Sequence, residues 1–322
     1  MSSLFLNNLV LIYLLGQSVA LILFGVATFF AIKIFLKWDF NSFELWQFKL
    51  ENSSYLVSTI VAFLLFVKIA LVIYFVYAID ALSILVPGAM CAAGVISANS
   101  YGLTLLFVKL LIIFALLLFV ALNWYDILQK NYPIIKHKML LVIVLFLLFV
   151  VEYFLDISYF LNIDLNLPVS CCSALFGQLE GANPLPFGLD TKAMLFLFYT
   201  LFLAALITNF ANYKWINLIV VGLFLYISYY SVVYFFGTYV YELPTHKCPF
   251  CMMQKEYSYI GYFIWGSLFL GAFLAIIYDI LSIWLKYELI GLKRASTLLM
   301  LLFVAINSSY VLLYYLKNGV FL

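Results

Sequence analysis

Two cysteines with two residues between them are the part of this chain whose types and spacing could do chemistry. Cys248 and Cys251 lie in the stretch Lys-Cys-Pro-Phe-Cys-Met-Met-Gln, which starts at Lys247 and leads into a long apolar run. This spacing lets two sulfur atoms reach disulfide geometry. At the start of a helix, the positive end of the dipole would favour the thiolate, and Pro249 would fit the first turn. The motif therefore predicts a redox-active dithiol that opens a helix; a static disulfide and half of a metal site are the alternatives.

The elements that must position this dithiol are membrane-spanning helices. The 322 residues are 68% hydrophobic and 9% charged, with a mean hydropathy of +1.17, whereas soluble domains are about half apolar and about a quarter charged. The formal net charge of +2 gives no indication of a nucleic-acid partner. Runs of about 20 apolar residues predict an all-α, polytopic membrane helix bundle with about eight spans. These predicted spans are residues 5–36, 55–86, 103–128, 139–161, 193–211, 215–240, 252–285 and 296–316.

Three segments between the predicted spans are long enough to carry function. Residues 39–54 are amphipathic and are expected on the membrane surface. Residues 87–102 are small and glycine-rich, which favours a re-entrant or tightly packed segment. Residues 162–192 form the longest loop and are expected, with the loop at Cys248, to hold the functional side chains.

The lysines predict the orientation of the bundle. Loops on one side carry more basic residues than loops on the other, and the positive-inside rule makes the richer side cytoplasmic. Both termini and all five cysteines then fall on the outer side, which indicates thiol chemistry or metal capture on an oxidising face. The richer side has Lys33, Lys37, Lys49, Lys130, Lys136, Lys138, Lys214, Lys286, Lys293 and Arg294, and the other has Lys192, Lys247, Lys255 and Lys317.

The fourth to seventh predicted spans carry an ordered set of motifs. A helix is followed by an outer loop that reads Asp-Leu-Asn-Leu-Pro-Val-Ser-Cys-Cys-Ser from Asp164, then by two helices and the Cys-Pro-Phe-Cys-Met stretch. This order resembles the vitamin K epoxide reductase family, including its bacterial homologues that form disulfides at the expense of quinone. The resemblance covers residues 139–280, and Ile163 stands where family members usually carry a second loop cysteine.

The resemblance implies a division of the chain and a location. Residues 139–285 would form a four-helix thiol-redox core, residues 1–138 would be accessory transmembrane helices of unknown role, and residues 286–322 would add a final transmembrane helix. The protein would lie in a bacterial inner membrane, with its cysteines on the periplasmic side.

The function that the resemblance implies is that of a quinone-dependent thiol–disulfide oxidoreductase. It would pass electrons between a periplasmic thioredoxin-fold protein and a membrane quinone, ubiquinone or menaquinone, without a metal. The dithiol and two loop cysteines would do the exchange, and a threonine at the outer start of the next helix would bind the quinone. From the residues alone, two tyrosines could line a quinone slot or could simply lie at the membrane interface. These residues are Cys248, Cys251, Cys171 and Cys172 for exchange, and Thr191, Tyr257 and Tyr259 for the quinone.

Two other functions stay open from the residues alone. Cys91 follows Met90 and could be an accessory thiol, a soft-metal ligand or a small core residue. Met90 and Cys91, together with His246, Met252 and the dithiol, form a set of ligands that suits Cu(I). Such a set would indicate copper handling or transport. The other alternative is a non-catalytic membrane subunit or assembly factor.

Charged residues inside the predicted spans allow two interpretations. Glu152 and Asp156 are four residues apart, so they share one helix face. They could move protons to or from the quinone. Alternatively, they could form ion pairs with lysines and so join the amino-terminal helices to the fourth span, with a separate pair between Lys109 and Asp80.

Overall fold

A computed structural model describes residues 4–40, 44–129, 131–169 and 188–322. Within these ranges the chain is helical and has no β-strand, and eight helices are long and apolar enough to cross a membrane. The predicted all-α, polytopic helix bundle is thereby confirmed. The helices are α1 (Asn8–Lys37), α2 (Leu45–Leu82), the short α3 (Ala92–Ile96), α4 (Tyr101–Leu128), α5 (Ile135–Leu161), α6 (Thr191–Phe210), α7 (Lys214–Tyr241), α8 (Ile260–Trp284) and α9 (Ile290–Asn318).

Helix α2 begins earlier than hydropathy predicted. Residues 45–54, expected to lie separately on the membrane surface, form its first turns. Neither proline nor glycine interrupts this stretch. The hydroxyls of Ser53 and Ser54 donate to backbone carbonyls one turn back, at Lys49 and Glu51, which lets polar side chains sit in a helix.

Helix α8 begins later than predicted, at Ile260 rather than at residue 252. Two single turns of 3₁₀ helix, Cys251–Met253 and Lys255–Tyr257, precede it. Ser258 and Tyr259 then adopt left-handed backbone angles, with φ of +53° and +56°, which an α-helix cannot contain. The dithiol therefore lies before α8 and does not open it.

Helix α7 contains a π-helical stretch, Val232–Phe236, close to the cysteine loop. The wider turn changes the direction of the side chains that follow it. Gly237 comes next, and a Cβ atom there would lie 2.8 Å from the carbonyl oxygen of Val232. A glycine is required at that position because the backbone approaches too closely for any side chain.

The described chain divides into two compact units. The first unit is Met1–Ile79 with Ile96–Leu167, and the second is Asp80–Val95 with Pro168–Leu322. Helix α5, predicted to start the redox core, packs against α1 and α4 in the first unit. Asp80–Val95, which carries Cys91, belongs to the second. The functional division at residues 138 and 285 stays a prediction.

Polar side chains connect three helices inside the second unit. Thr208 of α6 donates to the amide oxygen of Asn217 on α7 at 2.8 Å. The Asn217 amide donates in turn to the Asp279 carboxylate on α8 at 2.7 Å. Because these groups are buried and bonded to one another, they fix the relative register of α6, α7 and α8.

A network of charged residues lies inside the first unit. The Lys109 ammonium group donates to the Tyr13 hydroxyl, to Glu152 at 2.9 Å and to Asp156 at 2.8 Å, while Lys68 donates to Glu152 at 2.5 Å. All five side chains are fully buried or nearly so. Two lysines thus balance two carboxylates, as the ion-pairing interpretation expects for buried charges.

The expected pair between Lys109 and Asp80 is wrong. Lys109 directs its three N–H donors to groups of the first unit, whereas Asp80 accepts from the backbone N–H of Ala92. A pattern of charges along a sequence gives no information about which helices become neighbours. The proton-transfer role of Glu152 and Asp156 stays a prediction.

We expect Lys109→Met to destabilise the protein strongly. The substitution leaves Glu152 and Asp156 with a single lysine between them, and removing one partner of a buried ion pair costs about 3–5 kcal/mol. The thermal unfolding midpoint of the purified protein in detergent measures the loss. Lys317→Met is the matched control, because Lys317 pairs with Glu242 on the surface at 3.0 Å, and such pairs contribute about 0–1 kcal/mol.

The double variant Lys109→Met/Asp156→Leu tests the cause of that loss. It restores formal neutrality, so it should recover part of the stability that Lys109→Met removes. A double variant less stable than Lys109→Met would show that charge balance does not determine the effect.

Candidate functional site

Three cysteines of the second unit lie together, although one of them is far from the others in sequence. The sulfur atoms of Cys91, Cys248 and Cys251 are all within 4.8 Å of one another, and those of Cys91 and Cys248 are 3.7 Å apart. Their side chains are 0%, 1% and 5% exposed, and no disulfide joins them. We call these three residues the thiol cluster. Cys171 and Cys172 lie outside the described residues.

The Cys-Pro-Phe-Cys motif forms a loop and a 3₁₀ turn rather than the start of a long helix. Cys248 lies in the loop, and Cys251 begins the turn Cys251–Met253. The prediction that Pro249 occupies the first turn of a spanning helix is wrong, so the dipole of α8 does not act directly on the dithiol. The Cys248 sulfur instead accepts one backbone hydrogen bond, from the N–H of Phe250 at 3.4 Å.

Two aromatic side chains that sequence reasoning missed hold this loop. The Tyr241 hydroxyl donates to the carbonyl oxygen of Cys248 and accepts from the N–H of Met252 at 3.0 Å. The Trp265 indole N–H donates to the carbonyl oxygen of Pro249 at 3.0 Å. Both ends of the motif are therefore fixed to side chains of α7 and α8. Nothing in the sequence distinguishes Tyr241 from the other 24 tyrosines.

A carboxylate at the end of α2 ties the Cys91 segment to the dithiol loop. One Asp80 oxygen accepts from the backbone N–H of Ala92 at 3.1 Å and from the Gln254 side chain at 3.0 Å. Ala92 follows Cys91 directly, and Gln254 lies three residues after Cys251. This single oxygen therefore helps to hold the third thiol against the pair.

His246 adds a basic group beside the thiol cluster. Its ring packs edge-on against the ring of Tyr241, with the centroids 4.3 Å apart. Its Nε2 atom is buried and has no hydrogen-bond partner in the described part of the chain. Burial lowers the pKa of His246, and the proximity of Cys91 opposes that shift. A neutral imidazole near a thiol can accept its proton.

The methionines of the predicted soft-metal set have different surroundings. Met252 is fully buried, and a Cβ atom on Gly261 would lie 2.6 Å from its Cγ atom. Met90 has a side chain that is 80% exposed, although Cys91 beside it is covered.

The three residues predicted to bind quinone also occupy different places. Tyr257 packs against the Tyr241 ring at 4.8 Å, and burial, then Cys251, then Glu256 raise its pKa. Tyr259 is 42% exposed where α8 begins. Thr191 is the first residue of α6; its N–H donates to Asp190, and no hydrogen bond among the described residues links it to the cysteines.

The arrangement supports two kinds of chemistry. Sulfur atoms in van der Waals contact can exchange a disulfide after a small movement, since a disulfide needs an S–S distance of about 2.05 Å. Three thiols this close could alternatively hold a soft metal ion. Compared with family models, curated proteins and solved structures, the chain matches none of them. The family resemblance therefore depends on the motifs alone.

We expect Gly261→Ala to disturb the thiol cluster. The added methyl group would meet the Met252 side chain at 2.6 Å and its carbonyl carbon at 2.9 Å; overpacking of this kind costs about 1–3 kcal/mol. The thermal midpoint should fall, and maleimide labelling of Cys251 should become faster. Gly266→Ala on the same helix is the matched control, because a Cβ there meets nothing within 4 Å. Equal labelling rates in the two variants would contradict the expectation.

Proposed function

We propose that this protein is a membrane thiol–disulfide oxidoreductase in which Cys248 and Cys251 form the redox-active pair and Cys91 exchanges with Cys248. One observation carries the proposal: a third sulfur, from Cys91, lies 3.7 Å from the Cys248 sulfur in a covered cluster. A purely structural disulfide between Cys248 and Cys251 needs no third thiol in contact, and such a short loop gains little stability from a cross-link.

The exchange step is an attack by the Cys91 thiolate on the Cys248 sulfur of an oxidised Cys248–Cys251 pair. The bond between Cys91 and Cys248 forms, the bond between Cys248 and Cys251 breaks, and Cys251 leaves as a thiolate. A second thiol then attacks the Cys91 sulfur and releases Cys248 as a thiolate. The pair is now reduced by two electrons, and the incoming thiol has become part of a disulfide with Cys91.

Reoxidation of the pair requires an acceptor of two electrons, and we assign this role to a membrane quinone. The two thiols of Cys248 and Cys251 become a disulfide, while the quinone takes two electrons and two protons and leaves as quinol. His246 supports this step as a proton acceptor, since burial lowers its pKa and favours its neutral form. Tyr257 and Tyr259 stay the candidates for the quinone contact.

Electrons must reach the cluster through a thiol nearer the surface. The three cysteines are at most 5% exposed, so the active-site thiol of a soluble thioredoxin-fold protein cannot approach them directly. Cys171 and Cys172, in the long loop, are the proposed shuttle between that partner and Cys91. The resemblance to vitamin K epoxide reductases, which covers residues 139–280, supports the loop cysteines as the shuttle and a periplasmic location. The step through Cys91 is supported by its 3.7 Å distance from Cys248 alone.

Soft-metal binding is the second candidate, because the three thiols also suit a metal. In a tetrahedral site with metal–sulfur bonds of about 2.3 Å, sulfurs are roughly 3.8 Å apart, close to the 3.7 Å between Cys91 and Cys248. Three thiolates with Cu(I) would however bury two net negative charges. Neutral thiols and disulfides avoid this cost, and we therefore place redox chemistry first.

We expect Cys251→Ser to trap a disulfide between Cys91 and Cys248. Without Cys251, Cys91 supplies the nearest described sulfur to Cys248. Oxidation by the quinone, which takes two electrons and two protons, therefore joins these two sulfurs, and no Cys251 thiol is left to break the bond. Disulfide mapping by mass spectrometry of protein purified without reductant measures the bond. Cys172→Ser is the control, and it should leave the Cys248–Cys251 disulfide in place.

Two results would contradict the trapping prediction. A Cys251→Ser protein with Cys91 and Cys248 both reduced would remove Cys91 from the exchange. One equivalent of copper in the wild-type protein, with no disulfide in any preparation, would favour the metal function instead.

We also expect added quinone to oxidise the reduced pair. Wild-type protein in lipid nanodiscs should lose two free thiols when menaquinone or ubiquinone is added, with one quinol formed for every two thiols lost. The double variant Cys91→Ser/Cys248→Ser should abolish quinol formation, because Cys251 is then the only thiol of the cluster and one thiol cannot form a disulfide within it. Thiols that stay reduced in the wild-type protein under excess quinone would favour the reading as a non-catalytic membrane subunit.

A further inference from the structure

A second site lies in the first unit, remote in sequence from the cysteine loop. An open cleft of about 510 Å³ lies between the last turns of α1 and the first turns of α2. Its volume falls within the range of about 300–1,000 Å³ that is usual for small-molecule sites. The lining residues are Lys33, Lys37, Trp46, Lys49, Leu50 and Ser53.

Three positive charges face this cleft without an acidic partner. Lys33 and Lys37 are four residues apart on α1 and so share one face, and Lys49 reaches the cleft from α2. No carboxylate lies within ion-pair distance of these lysines in the part of the chain that the structure describes. Like charges in such positions repel one another. An anion bound between the three lysines would therefore reduce the electrostatic repulsion between their ammonium groups.

The acidic residues beside the cleft have other hydrogen-bond partners. Glu44 accepts from the Trp46 indole N–H at 2.6 Å, and Glu51 accepts from the Tyr132 hydroxyl at 2.9 Å. Neither carboxylate lines the cleft. In the described part of the chain, no carboxylate pairs with these three exposed lysines. Their charges are therefore available to an anionic ligand.

The apolar residues that line the cleft indicate which kind of anion it binds. Leu50 is buried and Trp46 is partly exposed, and tryptophan is enriched at the boundary between membrane and water. The cleft lies where two spanning helices end, which is the depth of lipid headgroups, and basic pockets at that depth bind anionic headgroups. We propose that the cleft binds the phosphate of an anionic phospholipid headgroup, with Lys33, Lys37 and Lys49 as its ligands.

The test is lipid binding by the full chain. Purified protein in detergent is titrated with phosphatidylglycerol, cardiolipin, phosphatidylcholine or inorganic phosphate and followed by native mass spectrometry. Wild-type protein should retain the two anionic lipids, and the triple variant Lys33→Gln/Lys37→Gln/Lys49→Gln should bind them at least tenfold more weakly. The matched control is Lys192→Gln/Lys255→Gln/Lys286→Gln, which removes three exposed lysines elsewhere and should bind like the wild type.

Each other outcome overturns the proposal. Equal binding by the triple variant and the control would show that the cleft lysines are not the ligands. Equal retention of phosphatidylcholine would show that the anionic charge is not recognised. Retention of inorganic phosphate with no bound lipid would assign the cleft to a free phosphate. None of these results depends on the redox chemistry of the cysteines.

Discussion

The cost of placing charge and unpaired polar groups in a medium of low polarity is the constraint on which this structure depends. In the first unit, Lys68 and Lys109 balance Glu152 and Asp156, and the Tyr13 hydroxyl completes the set of hydrogen bonds. In the second unit, Asn217 donates to the buried Asp279 carboxylate, while the thiols of the cluster carry no charge when they are protonated or joined in a disulfide. The thiols therefore meet the constraint without a charged partner, and they leave reactive atoms in the interior.

The thiol cluster depends on hydrogen bonds made by groups without redox chemistry. Tyr241 and Trp265 bond to the backbone of the dithiol loop, and one oxygen of Asp80 bonds to both the Cys91 segment and Gln254. The loop could not be held in this way by its own secondary structure, since only short 3₁₀ turns are present. The position of the dithiol therefore depends on residues that are distant in sequence.

Hydropathy was sufficient to predict the eight spans, and spacing was sufficient to identify Cys248 and Cys251 as a pair. The start of α8 was placed too early, before the polar stretch Gln254–Glu256. The backbone then turns left-handed at Ser258 and Tyr259, without a glycine or proline to mark the turn. The place of Cys91 could not be predicted either. It lies 157 residues from Cys248, and a single sequence gives no signal for which distant segments come into contact.

The number of sulfurs in the cluster has a consequence of its own. Disulfides consume sulfurs two at a time, so three cysteines can never all be oxidised to disulfides among themselves. Whichever pair forms, one thiol is left inside the covered site, next to the bond that it could attack. The cluster with one disulfide therefore still contains a thiol that can act as a nucleophile. This thiol can be oxidised to a disulfide only with a sulfur from another segment or from another protein. Because the number of cysteines is odd, a free thiol always remains beside the disulfide with which it can exchange.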